Sequence, residues 1–251
     1  MFSPKKYLKR INLSGSVSAD FSTLKALHKN HLYNIPFENL SIHSGQNIIL
    51  DADLLGKKII HSCRGGYCYE LNGMFYHLLK DLGYKVKMIS ARVRNGKGGW
   101  GPEFDHLALI VTLDNEWLAD VGFGDNFIEP KKFELDTVQK DPGGLYKIIK
   151  HDEKYFKLMR SPDGKEFTGE YIFTLKERQW EEFEGMNIYH QTSQESHFTK
   201  NKICSVATDK GRITLSKNKL TITENGVKKE TELKDEKVYN EKLFEIFKIS
   251  L

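Results

Sequence analysis

One thiol in this sequence sits where it could act as a nucleophile. In CRGGYCYELNGMFYHLLKDL, Cys63 to Leu82, a glycine pair runs into Cys68, and from there Leu71, Met74, Phe75, Leu78, Leu79 and Leu82 recur at helical spacing. The pattern predicts that Cys68 lies at or just before a helix N-terminus. Backbone N–H groups left unpaired in a first helical turn, with the helix dipole behind them, stabilise a thiolate and can hold a developing oxyanion. That is the setting a catalytic cysteine needs. It suits equally a buried structural thiol at the start of a core helix, and the stretch alone does not choose between the two.

A catalytic thiol needs a base, and the base an orienting acid. His106 lies early in FDHLALIVTL, Phe104 to Leu113, and Asp120 late in EWLADVGFG, Glu116 to Gly124; the two segments read as an antiparallel pair around Asp114 and Asn115. Register decides whether the two residues can meet. A two-residue turn would set Leu113 opposite Glu116 and position 106 opposite 123, leaving His106 and Asp120 on opposite faces. Partnership therefore requires a longer turn or a bulge between Ile110 and Trp117. Without one, His106 is a strand residue with no catalytic task.

Other combinations carry less. Cys63 and Cys68 enclose four residues with His61 nearby, but no second cysteine pair follows and Cys204 has no histidine at a usual ligand spacing, so no metal is expected. His28, His31, His43 and His61 are scattered without ligand spacing and read as surface or core histidines. NGKGGWGP, Asn95 to Pro102, lacks the ending of a P-loop and opens no helix; it reads as a strand connection or a mobile loop beside a cleft.

The elements that must position these residues change character along the chain. Ser3-Pro4 caps a short helix with Tyr7, Leu8 and Ile11 on one face, and Asp20 opens a second helix that closes before Pro36. IPFENLS, Ile35 to Ser41, reads as a loop whose Phe37 faces a pocket or the core and whose Glu38 is solvated or pairs with an arginine. Beyond Gly83 the period becomes that of strands, to about Thr174, which suggests a small barrel or curled sheet. Thr174 with Glu177 then reads as a capping box opening a helix through Trp180 and Phe183. SHFTKNKICSVA from Ser196 and GRITL from Gly211 read as strands, Asn225-Gly226 as a hairpin turn, and Asp235 to Phe247 as a final helix.

With 251 residues, 39% hydrophobic and 29% charged, the chain falls in neither the disordered nor the membrane class. Its excess of Lys and Arg, 38 against 34 acids, is dispersed, so no nucleic-acid footprint is expected. No apolar run reaches membrane length and MFSPKKYLKR shows no signal-peptide pattern. Three cysteines, an odd count, are then expected as reduced thiols in the cytoplasm.

Taken together, RGGYCYELN (Arg64 to Asn72), IPFENLS, His106 in a strand, DVGFG (Asp120 to Gly124) and SHFTKNKIC (Ser196 to Cys204) resemble the arylamine N-acetyltransferases, over about Tyr7 to Leu215. The resemblance implies an α+β fold: a helical first domain (1–84) carrying the cysteine, a β-barrel second domain (85–174), and a linker helix with an α/β lid (175–251). It implies a Cys68, His106 and Asp120 triad. It further implies ping-pong transfer from acetyl-CoA through an S-acetyl-cysteine to arylamines, arylhydrazines or arylhydroxylamines. Phe37, Val93 and Phe123 match positions of the family's acceptor pocket; Gly99, Trp100, Gly101, Tyr189 and Ser196 lie where the family approaches CoA, and Lys200 is placed to meet a phosphate. Arg64 is expected to pair with Glu38. Gln194 stands where the family often has proline, and the chain ends soon after Phe247; both departures fall on the lid, which bears on donor and acceptor range.

Two other readings stand beside this one. A papain-like or transglutaminase-like thiol hydrolase would use the same three residues on a peptide in an open groove, without CoA. A binding module would keep the pocket and lack turnover, and the presence of Cys68, His106 and Asp120 together argues against it.

Overall fold

The computed structural model describes residues 2–96 and 98–251; Lys97, within the glycine-rich stretch, lies outside them. The chain is α+β, with helices first, a barrel-like sheet in the middle and a second sheet with helices last. The early helices are α1 (Pro4–Arg10), α2 (Phe21–Asn34), α3 (Leu40–His43), α4 (Ala52–Leu55, running into the π-helical Gly56–His61) and α5 (Cys68–Asp81). α5 is the hub. Tyr69, Leu71, Met74, Phe75, Leu78 and Leu79 are fully buried and pack against Tyr7, Leu24, Leu27 and Ile59 of the other helical segments. Asp20 accepts the Thr23 N–H at 2.8 Å and starts α2, which stops before Pro36 as the steric bias of a pre-proline residue requires.

The middle of the chain forms β2 (Lys85–Val93), β3 (His106–Thr112), β4 (Glu116–Ala119), β5 (Lys131–Lys132), β6 (Gln139–Asp141), β7 (Gly144–Lys150), β8 (Phe156–Ser161) and β9 (Thr168–Phe173), following a two-residue β1 (Phe37–Glu38). These eight strands run in the order β5-β4-β3-β2-β9-β8-β7-β6. The outer edges are joined by side chains: the Gln139 amide accepts the Lys132 N–H and donates to the Lys132 carbonyl, each at 2.8 Å, and Lys131 Nζ lies 2.6 Å from Asp141 Oδ2. Alternation divides β3 as strand geometry dictates. Leu107, Leu109 and Val111 join the core around α5, while Ala108 and Ile110 face the barrel interior with Phe127, Tyr146 and Leu158.

The decisive register is the one between β3 and β4. Thr112 pairs with Glu116 and Leu109 with Ala119, so the connection is the three residues Leu113, Asp114 and Asn115, closed by a Leu113 N–H to Asn115 carbonyl bond of 2.9 Å. The extra turn residue shifts the pairing by one from a two-residue hairpin. His106 and Asp120 thereby share a face.

The last part contains α6 (Glu184–Thr192), α7 (His197–Lys200), β10 (Ile203–Thr208), β11 (Gly211–Ser216), β12 (Lys219–Glu224), β13 (Val227–Glu232) and α8 (Glu236–Phe247). Its sheet, in the order β1-β10-β11-β12-β13, takes its first strand from the IPFENLS segment, which is therefore not a loop throughout. Gly65 permits that strand to lie against the loop before α5, because a Cβ there would fall 1.9 Å from the Pro36 carbonyl oxygen.

Two local expectations are corrected. No helix opens at Thr174: its N–H bonds the Ser90 carbonyl and Arg178 N–H bonds that of Met88, so the segment continues along β2. The turn into helix comes at Gln179, whose N–H is accepted by Glu182. His197–Lys200 is helical rather than extended, since Oγ of the N-cap Ser196 accepts the Phe198 N–H and the Asn39 amide holds the carbonyls of Phe198 and Asn201.

Candidate active site

Cys68 is the first residue of α5, after an N-cap at Tyr67 whose N–H is taken by the buried Glu70 carboxylate at 3.1 Å. That carboxylate is in turn 2.7 Å from Lys58 Nζ. The head of the helix is so fixed by side chains beneath it. Glu38, fully buried, receives Arg64 Nε at 3.0 Å and Nη2 at 3.2 Å and accepts the Leu40 N–H at 2.7 Å, so the arginine–glutamate pair is present and ties β1 to the cysteine loop.

The Cys68 thiol lies beside His106 on the same cavity wall, and His106 and the Leu107 N–H both favour its ionised form. His106 Nε2 lies 2.8 Å from Asp120 Oδ2, which leaves Nδ1 for the thiol. Asp120 Oδ1 accepts from Asn72 Nδ2 at 2.9 Å and from the Gly122 N–H at 3.0 Å. Asn72 also donates to the Leu107 carbonyl at 2.6 Å and accepts the Val121 N–H at 2.9 Å. It follows Cys68 by one helical turn, so α5 carries both the thiol and the amide that holds the acid. Sequence reasoning did not single out Asn72. The available signal was a polar residue at i+4 from the cysteine on an otherwise apolar face.

Electrostatics favour charge on the inner pair. Burial opposes an imidazolium at His106, but the Asp120 carboxylate, its hydrogen bond and the contact with Cys68 outweigh burial and push it up to about 10. Burial likewise works against the Asp120 anion, yet His106, Asn72 and the Gly122 N–H hold it below the usual carboxylate range. The thiol is pulled both ways. Burial, with a smaller contribution from Asp105, pushes it up, while His106 and the Leu107 N–H draw it down; burial prevails. Because His106 keeps its proton so firmly, ionisation of the thiol leaves a thiolate–imidazolium pair.

These groups open on a cavity of about 650 Å³. Cys68 and His106 line it together with Phe37, Val93 and Phe123, and Gly101, Tyr189 and Ser196 lie on other parts of its wall. Gly99 and Trp100 are not among its lining residues; the Trp100 ring instead stands 5.7 Å from that of His151 and lies under Lys157. Lys200 Nζ is 3.7 Å from the Glu195 carboxylate and half exposed. Arg94 stands on the cavity wall and supplies a cation for an anionic ligand. A second cavity of about 400 Å³ abuts the first across Phe37, Phe123 and Phe198 and has Arg212 on its wall. The remaining cysteines differ from Cys68: Cys63 is exposed, and Cys204 lies in the core beneath α8. Among the described residues no group of three or more His, Cys, Asp or Glu could hold a metal ion, and no helix is long and apolar enough to cross a membrane.

A thiol at a helix start, backed by a histidine and carboxylate on a curled sheet, is the arrangement of cysteine-nucleophile enzymes. Comparison with known proteins narrows the class. The N-acetyltransferase family profile matches residues 20–251. An arylamine N-acetyltransferase of Escherichia coli is 34% identical over 88% of this chain and 79% of its own length. A pineal gland arylamine N-acetyltransferase of Gallus gallus is 33% identical over 86% of this chain and 82% of its own. A solved structure of a cysteine-to-glutamine variant of the Mycobacterium smegmatis arylamine N-acetyltransferase superposes with a TM-score of 0.92 at 29% identity, covering 100% of this chain and 93% of that one. The chain belongs to the arylamine N-acetyltransferase family and is an acyltransferase.

Proposed function

We propose that this chain transfers acetyl from acetyl-CoA to the nitrogen of arylamines and arylhydrazines, or the oxygen of arylhydroxylamines, by a ping-pong mechanism. The observation that carries the reading is His106 held between the Cys68 thiol and the Asp120 carboxylate at the wall of an aromatic-lined cavity. Cys68, as thiolate, attacks the thioester carbonyl; backbone N–H groups at the head of α5 receive the oxyanion, each such donor being typically worth roughly 3 kcal/mol. His106 gives its proton to the departing sulfur, which leaves as the thiol, and Cys68 carries the acetyl group. In the second half a neutral aromatic amine attacks this thioester, His106 takes the amine's proton, and the Cys68 thiolate departs. Asp120 holds the imidazole in orientation and stabilises its charge throughout.

Phe37, Val93 and Phe123 form the acceptor wall in this reading, since an aryl ring packs well against aromatic faces. Gly101, Tyr189 and Ser196 receive the CoA arm, with Gly99 and Trp100 as neighbours of its path and Arg94 facing its phosphates. We divide the chain at 1–84, 85–174 and 175–251, with the last section covering the cavity. Free cysteines suit the reducing cytoplasm, where we place the protein.

Incubation with acetyl-CoA followed by intact-protein and peptide mass spectrometry tests the proposal. Acetyl on Cys68, discharged on addition of an aromatic amine or hydrazine, is the expected result. An unmodified Cys68, or an acetyl-enzyme that yields only to water, would overturn it.

A further inference from the structure

Beyond Ala119, where β4 ends, the next backbone N–H has no ladder partner. The Asp120 N–H donates instead to Nε2 of His28 at 3.0 Å, across 92 residues of chain. The other ring nitrogen of His28, Nδ1, is 2.8 Å from the carbonyl of Ile128. A carbonyl can only accept, so Nδ1 carries the hydrogen and Nε2 is the bare acceptor that Asp120 requires. The ring is fully buried, stacks on Phe127 at 5.5 Å and meets Phe75 edge-on at 6.0 Å, so its plane is fixed as well as its tautomer. One imidazole on α2 thus holds both ends of the 120–128 segment.

We propose that His28 is a positioning residue for acyl transfer: by accepting the Asp120 N–H and donating to Ile128, it sets the depth and rotation of the Asp120 carboxylate against His106. The inference rests on the reading of Cys68, His106 and Asp120 as the reacting set. Asn72 grips the same acid from α5, through its carboxylate and the following N–H, so Asp120 is held between two helices. Only a neutral His28 can serve, because an imidazolium would turn an N–H toward the N–H of Asp120. Burial keeps it neutral, and this outweighs the carboxylates of Asp120 and Asp141, which favour its charge; Lys131 disfavours it, and His31 is the neighbouring titratable group on the same helix.

The test compares His28→Met, which fills similar space without such an acceptor, with His28→Gln, whose amide can accept from Asp120 and donate to Ile128. The rate of Cys68 acetylation by acetyl-CoA is measured across pH by quench and mass spectrometry, alongside thermal melting. His28→Met is expected to slow acetylation by roughly ten- to a hundredfold, the scale of a small misplacement at a reacting centre. It should also move the alkaline limb, set by the His106 proton, to lower pH. His28→Gln should recover both. A folded methionine variant with the wild-type rate and limb, or a glutamine variant no better than methionine, overturns the proposal. If the methionine variant does not fold, His28→Asn replaces it, its amide being too short to span Asp120 and Ile128; equal profiles for asparagine and glutamine then overturn the proposal. Absence of acetyl on wild-type Cys68 would strike the underlying reading and this inference with it, whereas an acetylated wild type with unmoved variants strikes this inference alone.

Discussion

Asn72, one turn beyond Cys68 on the same helix, donates its amide to Asp120 Oδ1 at 2.9 Å. The helix that carries the thiol therefore also holds the acid, and their separation is fixed by helix geometry rather than by loops. α5 can serve as this ruler because its remaining inward positions are filled by core side chains.

Replacing Asn72 by alanine is expected to cost more than one hydrogen bond. It would strand the Leu107 carbonyl and the Val121 N–H in the interior and leave Asp120 Oδ1 with the Gly122 N–H as its remaining donor. At about 1–3 kcal/mol for each buried group left unpaired, a loss of roughly 3 kcal/mol is expected in urea unfolding. Single-turnover acetylation of Cys68 should fall in parallel. Unchanged stability together with an unchanged rate would show that Asn72 is dispensable.

Asp120→Asn removes the carboxylate that supports charge on His106. With that cause gone, the His106 pKa must drop from about 10, and the imidazolium is lost at lower pH. The sign for activity follows: the alkaline limb of Cys68 acetylation moves toward neutrality. The sign for stability follows too. A histidine raised above its ordinary value contributes stability that is complete below that value and disappears as pH rises through about 10, and the asparagine variant lacks this contribution. Unfolding curves at pH 6 and pH 10 compared between the two proteins provide the check, the wild type being expected to lose more on the alkaline side.

How far the sequence reaches can be judged residue by residue. The head of α5 is legible because the glycine pair punctuates it and the apolar repeat then holds a helical period. The meeting of His106 and Asp120 is legible only as a condition. Strand alternation states which register is needed, and the three-residue turn that supplies it is a property of Leu113, Asp114 and Asn115 in their folded surroundings. His28 is not legible at all, since on α2 it looks like any core histidine and its partners lie about a hundred residues away. The Thr174 helix failed because a local capping pattern competed with a sheet that offered backbone partners from β2, and the ladder won.

Arg64→Ala should destabilise the chain by about 3–5 kcal/mol, the usual consequence of leaving one member of a buried pair without its partner. Glu38 has no exposed surface, and Lys58, 3.8 Å away and already bonded to Glu70, offers incomplete compensation. Because the pair ties β1 to the loop preceding Cys68, acetylation should slow as well. A melting temperature and a rate both equal to wild type would refute the assignment of a structural role.

Acid should destabilise the fold through the buried histidines of α2. Burial holds His28 down at about 4 and His31 well below its ordinary value, so the unfolded chain binds protons that the native state refuses. Stability is thus complete above about pH 6.5 and falls as pH drops toward 4, by about 3 kcal/mol for His28 alone. Denaturant midpoints between pH 7 and pH 4.5 should show this slope, and it should be shallower in His28→Gln. Equal slopes in the two proteins would place the acid sensitivity elsewhere.

Gly122→Ala tests how closely the acid's loop must approach the nucleophile's helix. A Cβ at this position would lie 2.8 Å from the Cys68 Cα and 2.7 Å from Asn72 Nδ2, and neither can yield: one is helix backbone, the other is bonded on both sides. The added methyl must therefore push the 120–122 segment away from α5, lengthening the Asn72 to Asp120 bond and tilting the carboxylate from His106. A displacement of this kind is expected to reduce Cys68 acetylation by on the order of a hundredfold while the distant cores stay packed. The measurement is single-turnover acetylation beside far-ultraviolet circular dichroism. Near-native dichroism with a collapsed rate is the predicted pair of results, whereas a wild-type rate would mean that the loop and helix can part without disturbing the acid.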